Sequence, residues 1–114
     1  MRQVVSEQDA KPLTEPVFLI LTSLAAQPRH GYALLQDVER ISNGRVILST
    51  GTLYGALRRL LEDGFIARFE QEDTSRDKQA YQLTAQGRRQ LQAEVERLKQ
   101  LTRAATARLR ASEA

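Results

Sequence analysis

The sequence predicts a mainly α-helical fold with one small β-hairpin and a long C-terminal helix. Three segments between Thr14 and Gly64 repeat apolar residues at helical spacing, and each ends at a proline or a glycine. From Phe65 the apolar period changes to two, as in a half-buried strand. After Thr84 a helical pattern without proline runs almost to the C-terminus. A chain of 114 residues can bury one core, so we expect these elements to share it.

The first two predicted helices differ in how much of their surface is apolar. Thr14 can cap the first helix, and V-F-L-I-L-T-S-L-A-A, residues 17–26, is apolar nearly all round, which is typical of a helix buried on most sides. The second helix, from about His30 to Ser42, is amphipathic. Its expected core residues are Leu34, Leu35, Val38 and Ile41. Its expected solvent-facing residues are Gln36, Asp37, Glu39 and Arg40.

A third helix is predicted after the β-branched segment 45–48, which we expect to be extended. Ser49 or Thr50 supplies its N-cap, and Asp63 with Gly64 ends it. Its leucines recur at helical spacing and predict one stripe that faces the core. These leucines are Leu53, Leu57, Leu60 and Leu61.

The two-residue period predicts a β-hairpin. Along its first strand, two sets of residues alternate between opposite faces. The sets are Phe65, Ala67 and Phe69 on one side and Ile66, Arg68 and Glu70 on the other. The charged sequence E-D-T-S-R-D-K, residues 72–78, is expected to form the tip. The sequence Q-A-Y-Q-L, residues 79–83, then returns as the second strand, with Tyr81 and Leu83 on one face.

Thr84 can cap a last helix whose apolar residues follow a heptad spacing. From Thr84 onward the chain has seven Lys or Arg and three Asp or Glu residues, so the excess positive charge is concentrated here. A helix of this length has too little of its own domain to pack on, and its narrow apolar stripe predicts packing against a second copy of the chain. The predicted dimer-interface residues are Leu91, Val95, Leu98, Thr102, Ala105 and Leu109.

Three helices followed by a hairpin is the element order of a winged helix-turn-helix, in which the third helix is the recognition helix and the hairpin is the wing. The predicted fold class is therefore mainly α with a small β-hairpin: a winged helix-turn-helix domain plus a long C-terminal dimerisation helix. We expect a flexible N-terminal arm over residues 1–12 and the DNA-binding domain over residues 13–83. Residues 84–114 are expected to form the dimerisation helix with a frayed tail.

Two glycines in the third helix raise the question of what its outer face does. Gly51 and Gly55 each cost about 1 kcal/mol of helix stability relative to alanine. On a helical wheel both lie opposite the leucine stripe, on a face that carries Arg58 and is flanked by Tyr54 and Arg59. A face without bulky side chains lets a large object approach the backbone, and the major groove of DNA admits such a helix. The alternative interpretation is that Gly51 lies at the start of the helix, where glycine costs little, and that Gly55 allows tight packing of a neighbouring helix.

Three stretches carry motifs of one known family. H-G-Y-A-L-L, residues 30–35, looks like the start of that family's second helix. S-T-G-T-L-Y-G-A-L-R-R-L-L-E-D-G-F-I, residues 49–66, looks like its recognition helix and the entry to its wing. Y-Q-L-T-A-Q-G-R, residues 81–88, is similar to its wing exit and the start of its final helix. Together these stretches, within residues 13–91, resemble the PadR family of bacterial transcriptional regulators.

The resemblance implies a homodimer that binds double-stranded DNA, usually as a repressor, with its recognition helices in successive major grooves of an inverted-repeat operator. At matching positions, it implies DNA contacts by Ser49, Gly51, Thr52, Tyr54 and Arg58, and by Arg76 and Lys78 in the wing. The residues themselves add Thr50, at the phosphate-binding start of the helix, and Arg59, beside its outer face. The wing departs from the family pattern, because Asp77 lies among its cations and Ala80 occupies the position of the first of two tyrosines.

Composition argues against most other classes of protein. Cysteine is absent, His30 is the single histidine and no serine stands in a nucleophile motif, so we expect no enzyme activity, no metal site and no cofactor. The net charge of +3 and the pI near 9.7 lean weakly toward polyanionic partners. Residues 1–11 lack a signal-peptide core and the apolar stretch 17–26 is too short to cross a bilayer. A cytoplasmic protein without membrane contact is expected.

The sequence leaves the alternatives for function open. A winged-helix module that binds protein rather than DNA is the second hypothesis, and it rests on Glu70, Glu72 and Asp73 in the wing. Regulators of the PadR family often sense a small molecule, and in a chain with one C-terminal helix such an effector is expected at the dimer interface. The sequence names neither the ligand nor the operator, and it does not distinguish a repressor from an activator.

Overall fold

The computed structural model describes residues 11–69 and 79–113 and confirms a mainly helical fold with a small antiparallel sheet. Its elements, in chain order, are α1 (Glu15–Ala26), β1 (Arg29–His30), α2 (Gly31–Ile41), α3 (Thr50–Glu62), β2 (Ile66–Phe69), β3 (Ala80–Leu83) and α4 (Ala85–Glu113). The four helices and the two hairpin strands occur in the predicted order. Strand β1 is an addition that the sequence pattern does not predict.

Hydroxyl side chains cap three of the helices. Thr14 caps α1, Thr84 caps α4, and Ser49 rather than Thr50 caps α3. In each case the hydroxyl oxygen accepts a hydrogen bond from the backbone N–H three residues later, over 3.0–3.4 Å. These bonds satisfy donors that helix geometry leaves without an intrahelical acceptor, which explains why the N-cap signals locate the helix starts well.

The sheet has the order β1-β3-β2, and its strands are antiparallel. Strands β2 and β3 form the predicted hairpin, with Ile66 opposite Leu83. Strand β1 pairs with the other edge of β3, which places Arg29 opposite Tyr81. The predicted hairpin tip, residues 72–78, lies outside the described residues.

Burial along β2 corrects the predicted alternation. Ile66 is 2% exposed and belongs to the core, whereas Phe69, at the end of the strand, is 38% exposed. Ala80, which lies opposite Phe69 on β3, is only 1% exposed, so the exposure is confined to the end of β2, the edge strand of the sheet. On β3, Tyr81 is buried and Leu83 packs against the core, as predicted for residues on one face.

One apolar core joins α1, α2, α3 and the sheet. Its buried residues are Leu19, Ile20, Leu21, Leu24, Leu34, Val38, Leu53, Leu57, Leu60, Ile66 and Tyr81. This set includes Leu53, Leu57 and Leu60 of the predicted α3 stripe and Leu34 and Val38 of α2. Two other predicted residues, Leu35 and Leu61, are partly buried and pack against it. Ile41, predicted to lie in the core, is instead 40% exposed at the end of α2, where it lines a groove next to α1 and α4.

The segment between α2 and α3 is irregular and does not join the sheet. Asn43 and Gly44 follow α2 and have φ angles of 55° and 80°, in the left-handed region. Asparagine and glycine are the residue types expected in this conformation after a helix. Val46 and Leu48 pack against the core, whereas Ile47 between them is 70% exposed. Inward and outward side chains therefore alternate up to the N-cap of α3.

Asp37 corrects the predicted polar face of α2, because it is buried. It is 5% exposed and accepts a hydrogen bond from Ser23 Oγ of α1 over 2.5 Å. Arg40 donates to its other oxygen, and Arg29 Nη2 lies 3.4 Å from Oδ2. Burial alone would raise the pKa of Asp37, but these hydrogen bonds and positive charges outweigh burial and leave the pKa lowered. The carboxylate therefore stays ionised between α1 and α2.

The first half of α4 packs on the domain and carries a second buried carboxylate. Glu94 is 5% exposed and accepts hydrogen bonds from Arg97 Nε over 3.0 Å and from Arg97 Nη2 over 2.6 Å. The bonds from Arg97 lower the pKa of Glu94, burial opposes them, and the Leu13 backbone N–H adds to the lowering. Glu94 thus ties α4 to the residues that precede α1.

Helix α4 begins in close contact with the turn that follows α3. Thr84 Oγ1 donates to the carbonyl oxygen of Gly64 over 2.7 Å, and Thr84 N donates to the carbonyl oxygen of Phe65 over 3.1 Å. A Cβ at Gly87 would collide with the Phe65 carbonyl and would lie 2.9 Å from Leu83 Cδ1. Glycine at position 87 therefore allows α4 to sit directly against this turn.

We expect folding stability to fall in acid through Asp37 and Glu94. Both carboxyl groups have lower pKa values in the folded chain than their ordinary values of 3.8 and 4.5. Their stabilisation is therefore present above those ordinary values and is lost as the pH falls through the folded values. Urea unfolding should show that D37N and E94Q each lower the unfolding free energy at pH 7 by about 2 kcal/mol. The same variants should differ less from wild type at pH 3, which lies below both ordinary values.

The control for this prediction is E96Q. Glu96 forms an exposed ion pair with Lys99, with Nζ and Oε2 3.5 Å apart, and such pairs contribute about 0–1 kcal/mol. A stability difference for D37N or E94Q that is the same at pH 7 and pH 3 would contradict the assignment of these groups as buried, stabilising anions.

Candidate nucleic-acid interface

The structure places the polar residues of α3 together on one outward face. On the inner side, Leu53 is 0%, Leu57 is 1% and Leu60 is 4% exposed. The exposed residues of α3 are Thr50, Gly51, Thr52, Tyr54, Arg58, Arg59 and Glu62. The N-cap Ser49 is also exposed. All the α3 residues that the sequence predicts to contact DNA, including this cap, therefore lie on the solvent side of the helix.

The N-terminus of α3 has groups that suit a phosphate. Ser49 Oγ accepts from Thr52 N over 3.1 Å and also donates to Thr52 Oγ1 over 2.9 Å. The backbone N–H groups of Thr50 and Gly51 belong to the first turn, where helix geometry provides no intrahelical acceptor. Exposed N–H and hydroxyl groups at the positive end of a helix dipole can bind an anionic oxygen.

Gly51 and Gly55 form a bare strip on this face. A Cβ built on either glycine would have no neighbour within 4 Å among the residues that the structure describes. The alternative interpretation, tight packing of a neighbouring helix on Gly55, is thus wrong for the described part of this chain. Because alanine would fit at both positions and favour the helix, the contacts within these residues give no reason for glycine here.

Two arginines extend the face towards the C-terminal end of α3. Arg58 and Arg59 are exposed, and within residues 11–69 and 79–113 neither takes part in an ion pair. Arginine side chains of this kind can reach phosphate oxygens or the acceptor atoms of guanine in the major groove. The face therefore combines close backbone access with flanking positive charge.

Tyr54 has a packing contact that the sequence analysis missed. Its ring is 46% exposed, but its hydroxyl lies against Gly31, the first residue of α2. A Cβ on Gly31 would collide with that hydroxyl and would lie 2.9 Å from Tyr54 Cζ. Tyr54 thus touches the start of α2 while leaving part of its ring accessible. The glycine that directly follows His30 was the available sequence signal for this contact.

The base of the hairpin contributes one cation that the sequence analysis did not select. Arg68 of β2 is exposed and lies opposite Tyr81 of β3. Burial raises the pKa of Tyr81, Tyr54 raises it further, and the charge of Arg68 opposes both. Tyr54 and Arg68 therefore both lie within electrostatic range of the Tyr81 hydroxyl. The predicted wing contacts Arg76 and Lys78 lie outside the described residues.

The second half of α4 presents apolar side chains to solvent. Leu98 is 38%, Leu101 is 47% and Leu109 is 64% exposed. Of the predicted seam, Leu91 packs against the chain's own core, whereas Thr102 and Ala105 are exposed. The first turns of α4 therefore pack on the chain's own domain, whereas the leucines of its second half do not. Leu101, outside the predicted heptad positions, widens the stripe.

A groove lies between α1, the end of α2 and α4, next to this stripe. Its volume is about 440 Å³, and its apolar lining includes Phe18, Ile41 and Leu98. A second depression of about 380 Å³ continues along α4 from the same Phe18 and Leu98. Together they form one largely apolar surface along α1 and α4.

Groups with other chemistry are scarce in the described part of the chain. Residues 11–69 and 79–113 contain no cluster of three or more His, Asp or Glu side chains placed to bind a metal ion. His30 Nδ1 is buried, and the described residues give it no hydrogen-bond partner. Of the four helices that the structure describes, none combines the length and apolarity needed to cross a membrane.

Comparisons with known proteins agree with this geometry. The family described as "Transcriptional regulator PadR-like family" matches residues 20–93. An uncharacterized 37.1 kDa protein in transposon TN4556 of Streptomyces fradiae is 36% identical over 84 residues. That match covers 74% of this chain and 23% of the relative, so this chain spans less than a quarter of that protein's length.

Solved structures share the fold. A PadR family transcription regulator from Clostridium difficile R20291 aligns with a TM-score of 0.70 at 20% identity, covering 84% of this chain and 99% of its own. A PadR family regulator from Eggerthella lenta is 29% identical, with a TM-score of 0.61 over 82% of this chain and 79% of its own. The chain therefore belongs to the PadR-like family of transcriptional regulators.

Proposed function

We propose that this protein is a homodimeric transcriptional repressor that binds an inverted-repeat operator through α3 and the wing. The observation that carries the proposal is the bare strip on α3, where Gly51 and Gly55 lie open between polar and basic side chains. A major groove about 12 Å wide admits a helix, and a strip without side chains lets base edges approach its backbone. A face turned only to water would gain stability from alanine.

The proposed contacts divide by chemistry. Ser49, Thr50 and Thr52 bind phosphate at the N-terminus of α3, where the helix dipole favours an anion. Gly51 and Gly55 let base edges come close to the backbone of α3. Tyr54, Arg58 and Arg59 reach around the strip to phosphates or base edges, and Arg76 and Lys78 remain the proposed contacts of the wing.

The proposed dimer interface is the apolar surface of α4 and α1. Leucines exposed along α4 and the adjoining groove would be covered by the same surface of a second copy, which is the self-complementary arrangement of a two-fold dimer. The proposed α4 contacts are Val95, Leu98, Thr102, Ala105 and Leu109, with Leu91 at the edge of the chain's own core. Two-fold symmetry in turn requires half-sites about one helical turn apart.

A small-molecule effector at this interface is part of the proposal. The groove of about 440 Å³ has the size of a small-ligand site and lies where the partner would pack. A ligand held there would contact both α4 and the domain that carries α3. The ligand would change DNA binding if its affinity differed between an arrangement of the dimer that binds DNA and one that does not. We propose that the protein works in the cytoplasm, where its DNA lies.

Footprinting on the duplex upstream of the protein's own gene tests DNA binding and symmetry together. We expect two protected half-sites with two-fold symmetry. Because phosphate contacts release counterions, affinity should fall by about 10³ or more between about 50 and 200 mM salt if 6–10 phosphates are bound. Little duplex affinity at any salt concentration would favour the alternative, a winged-helix module that binds protein.

We expect G55A to separate folding from DNA binding. Alanine at this open helical position should raise the unfolding free energy by about 1 kcal/mol. Its methyl group should keep base edges in the major groove of DNA away from the α3 backbone and lower duplex affinity about tenfold. Thermal unfolding and a duplex titration measure the two effects. Q100A, in the exposed part of α4, is the matched control and should leave affinity unchanged. A stabilised G55A protein with full affinity would contradict the role of the strip.

We expect L98R to dissociate the dimer. A charge placed in the apolar stripe would have to be buried when the two copies meet, and the carboxylates nearby, Glu15 and Glu94, already have arginine partners. Sedimentation should then show a monomer where wild type is a dimer, and circular dichroism should show the helical content retained. Q100R, two residues along the same helix, adds the same charge outside the predicted seam and should remain dimeric. A wild-type protein that sediments as a monomer at micromolar concentration would contradict the proposed assembly.

A further inference from the structure

One arginine side chain connects the sheet to two helices. Arg29 lies in β1, opposite Tyr81 of β3. Its Nε donates to the carbonyl oxygen of Ser23 in α1 over 3.2 Å, and its Nη2 lies 3.4 Å from Oδ2 of Asp37 in α2. Its side chain is 16% exposed and that of Asp37 is 7% exposed. The junction is therefore largely removed from solvent.

The partner of Arg29 on α1 is a carbonyl that needs a donor. Ser23 is one of the last four residues of α1, whose carbonyl groups have no intrahelical N–H partner. The last turn of α1 contains no basic residue, and Arg29 brings a cation to this negative end of the helix dipole. Its guanidinium thus satisfies the end of α1 and the buried Asp37 carboxylate at once.

The position of β1 bears directly on the hairpin. Strand β1 has only two residues, at one edge of the sheet, and β3 lies between it and β2. A ladder this short holds its strand weakly by itself, so the side chain of Arg29 adds a second attachment. Because β1 runs straight into α2, this attachment joins the base of the hairpin to the helix pair α2 and α3.

We propose that Arg29 is a positioning residue for DNA binding, which fixes the base of the hairpin relative to α3 by holding β1 against α1 and Asp37. The inference rests on the proposed function. A buried ion pair is often no more stabilising than apolar side chains of similar size, so stability alone gives little reason for a cation here. The planar guanidinium with its fixed donors binds its two partners in one geometry, which apolar contacts do not enforce.

The decisive variant replaces the charges without leaving one of them alone. R29M combined with D37L fills the site with apolar side chains. Because the buried Ser23 hydroxyl and carbonyl lose these partners, urea unfolding should remain cooperative with a midpoint below that of wild type. R40M is the matched control, because Arg40 binds the same carboxylate but lies on α2 itself and has a side chain 74% exposed. R29K keeps the positive charge but loses the planar set of guanidinium donors. It replaces the double variant as the test if the double variant does not fold.

Two measurements report on position. Amide hydrogen exchange, made without DNA, should be about tenfold faster in the β1–β3 ladder of the double variant, with exchange in α3 unchanged. On the duplex that wild type protects, affinity should fall about tenfold, and the slope of log affinity against log salt should shrink by about 1, as for one lost phosphate contact. R29K should show the same changes in weaker form, and R40M should show none.

The outcomes separate this inference from the proposed function. A double variant with wild-type exchange, affinity and salt slope overturns the positioning role, as does faster exchange that is uniform over the whole protein. If wild type fails to bind the duplex, the proposed function fails, and exchange in the ladder still decides whether Arg29 holds β1 in place.

Discussion

The outer face of α3 is available to a partner because the inner face is fully used by the core. Leu53, Leu57 and Leu60 are nearly inaccessible, and burial of each such side chain contributes about 1.5–3 kcal/mol. Rotation of the helix by one residue, about 100°, would pull these leucines out of the core. The core therefore sets the rotation of α3, and the bare strip faces outward as a consequence.

The contacts around Gly64, Phe65, Thr84 and Gly87 extend this constraint to the long helix. Two hydrogen bonds and a close backbone approach hold the start of α4 against the turn that ends α3. In the proposed dimer, the crossing of two α4 helices would set the separation of two α3 helices through this junction. A site whose two halves must match a fixed DNA period requires a stiff connection of this kind.

Buried charge has a similar role at two other contacts between elements. Asp37 lies between α1 and α2, and Glu94 joins α4 to the residues before α1. Each carboxylate has an arginine partner, which offsets the cost of removing it from water. Hydrogen bonds to charged groups have narrow geometry, so these sites specify how the elements meet as well as how strongly.

The sequence by itself determined the order of the helices, the N-caps Thr14 and Thr84, the leucine stripe of α3 and the outward position of Gly51 and Gly55. These features depend on residues a few positions apart, so helical periodicity and capping chemistry are enough to predict them. Tertiary structure alone decided that Arg29 and His30 form a third strand and that Asp37 is buried. It also decided that Tyr54 packs on Gly31 and that the first turns of α4 pack against the core. Each of these depends on a partner from another element, and local spacing carries no information about which distant residue will supply it.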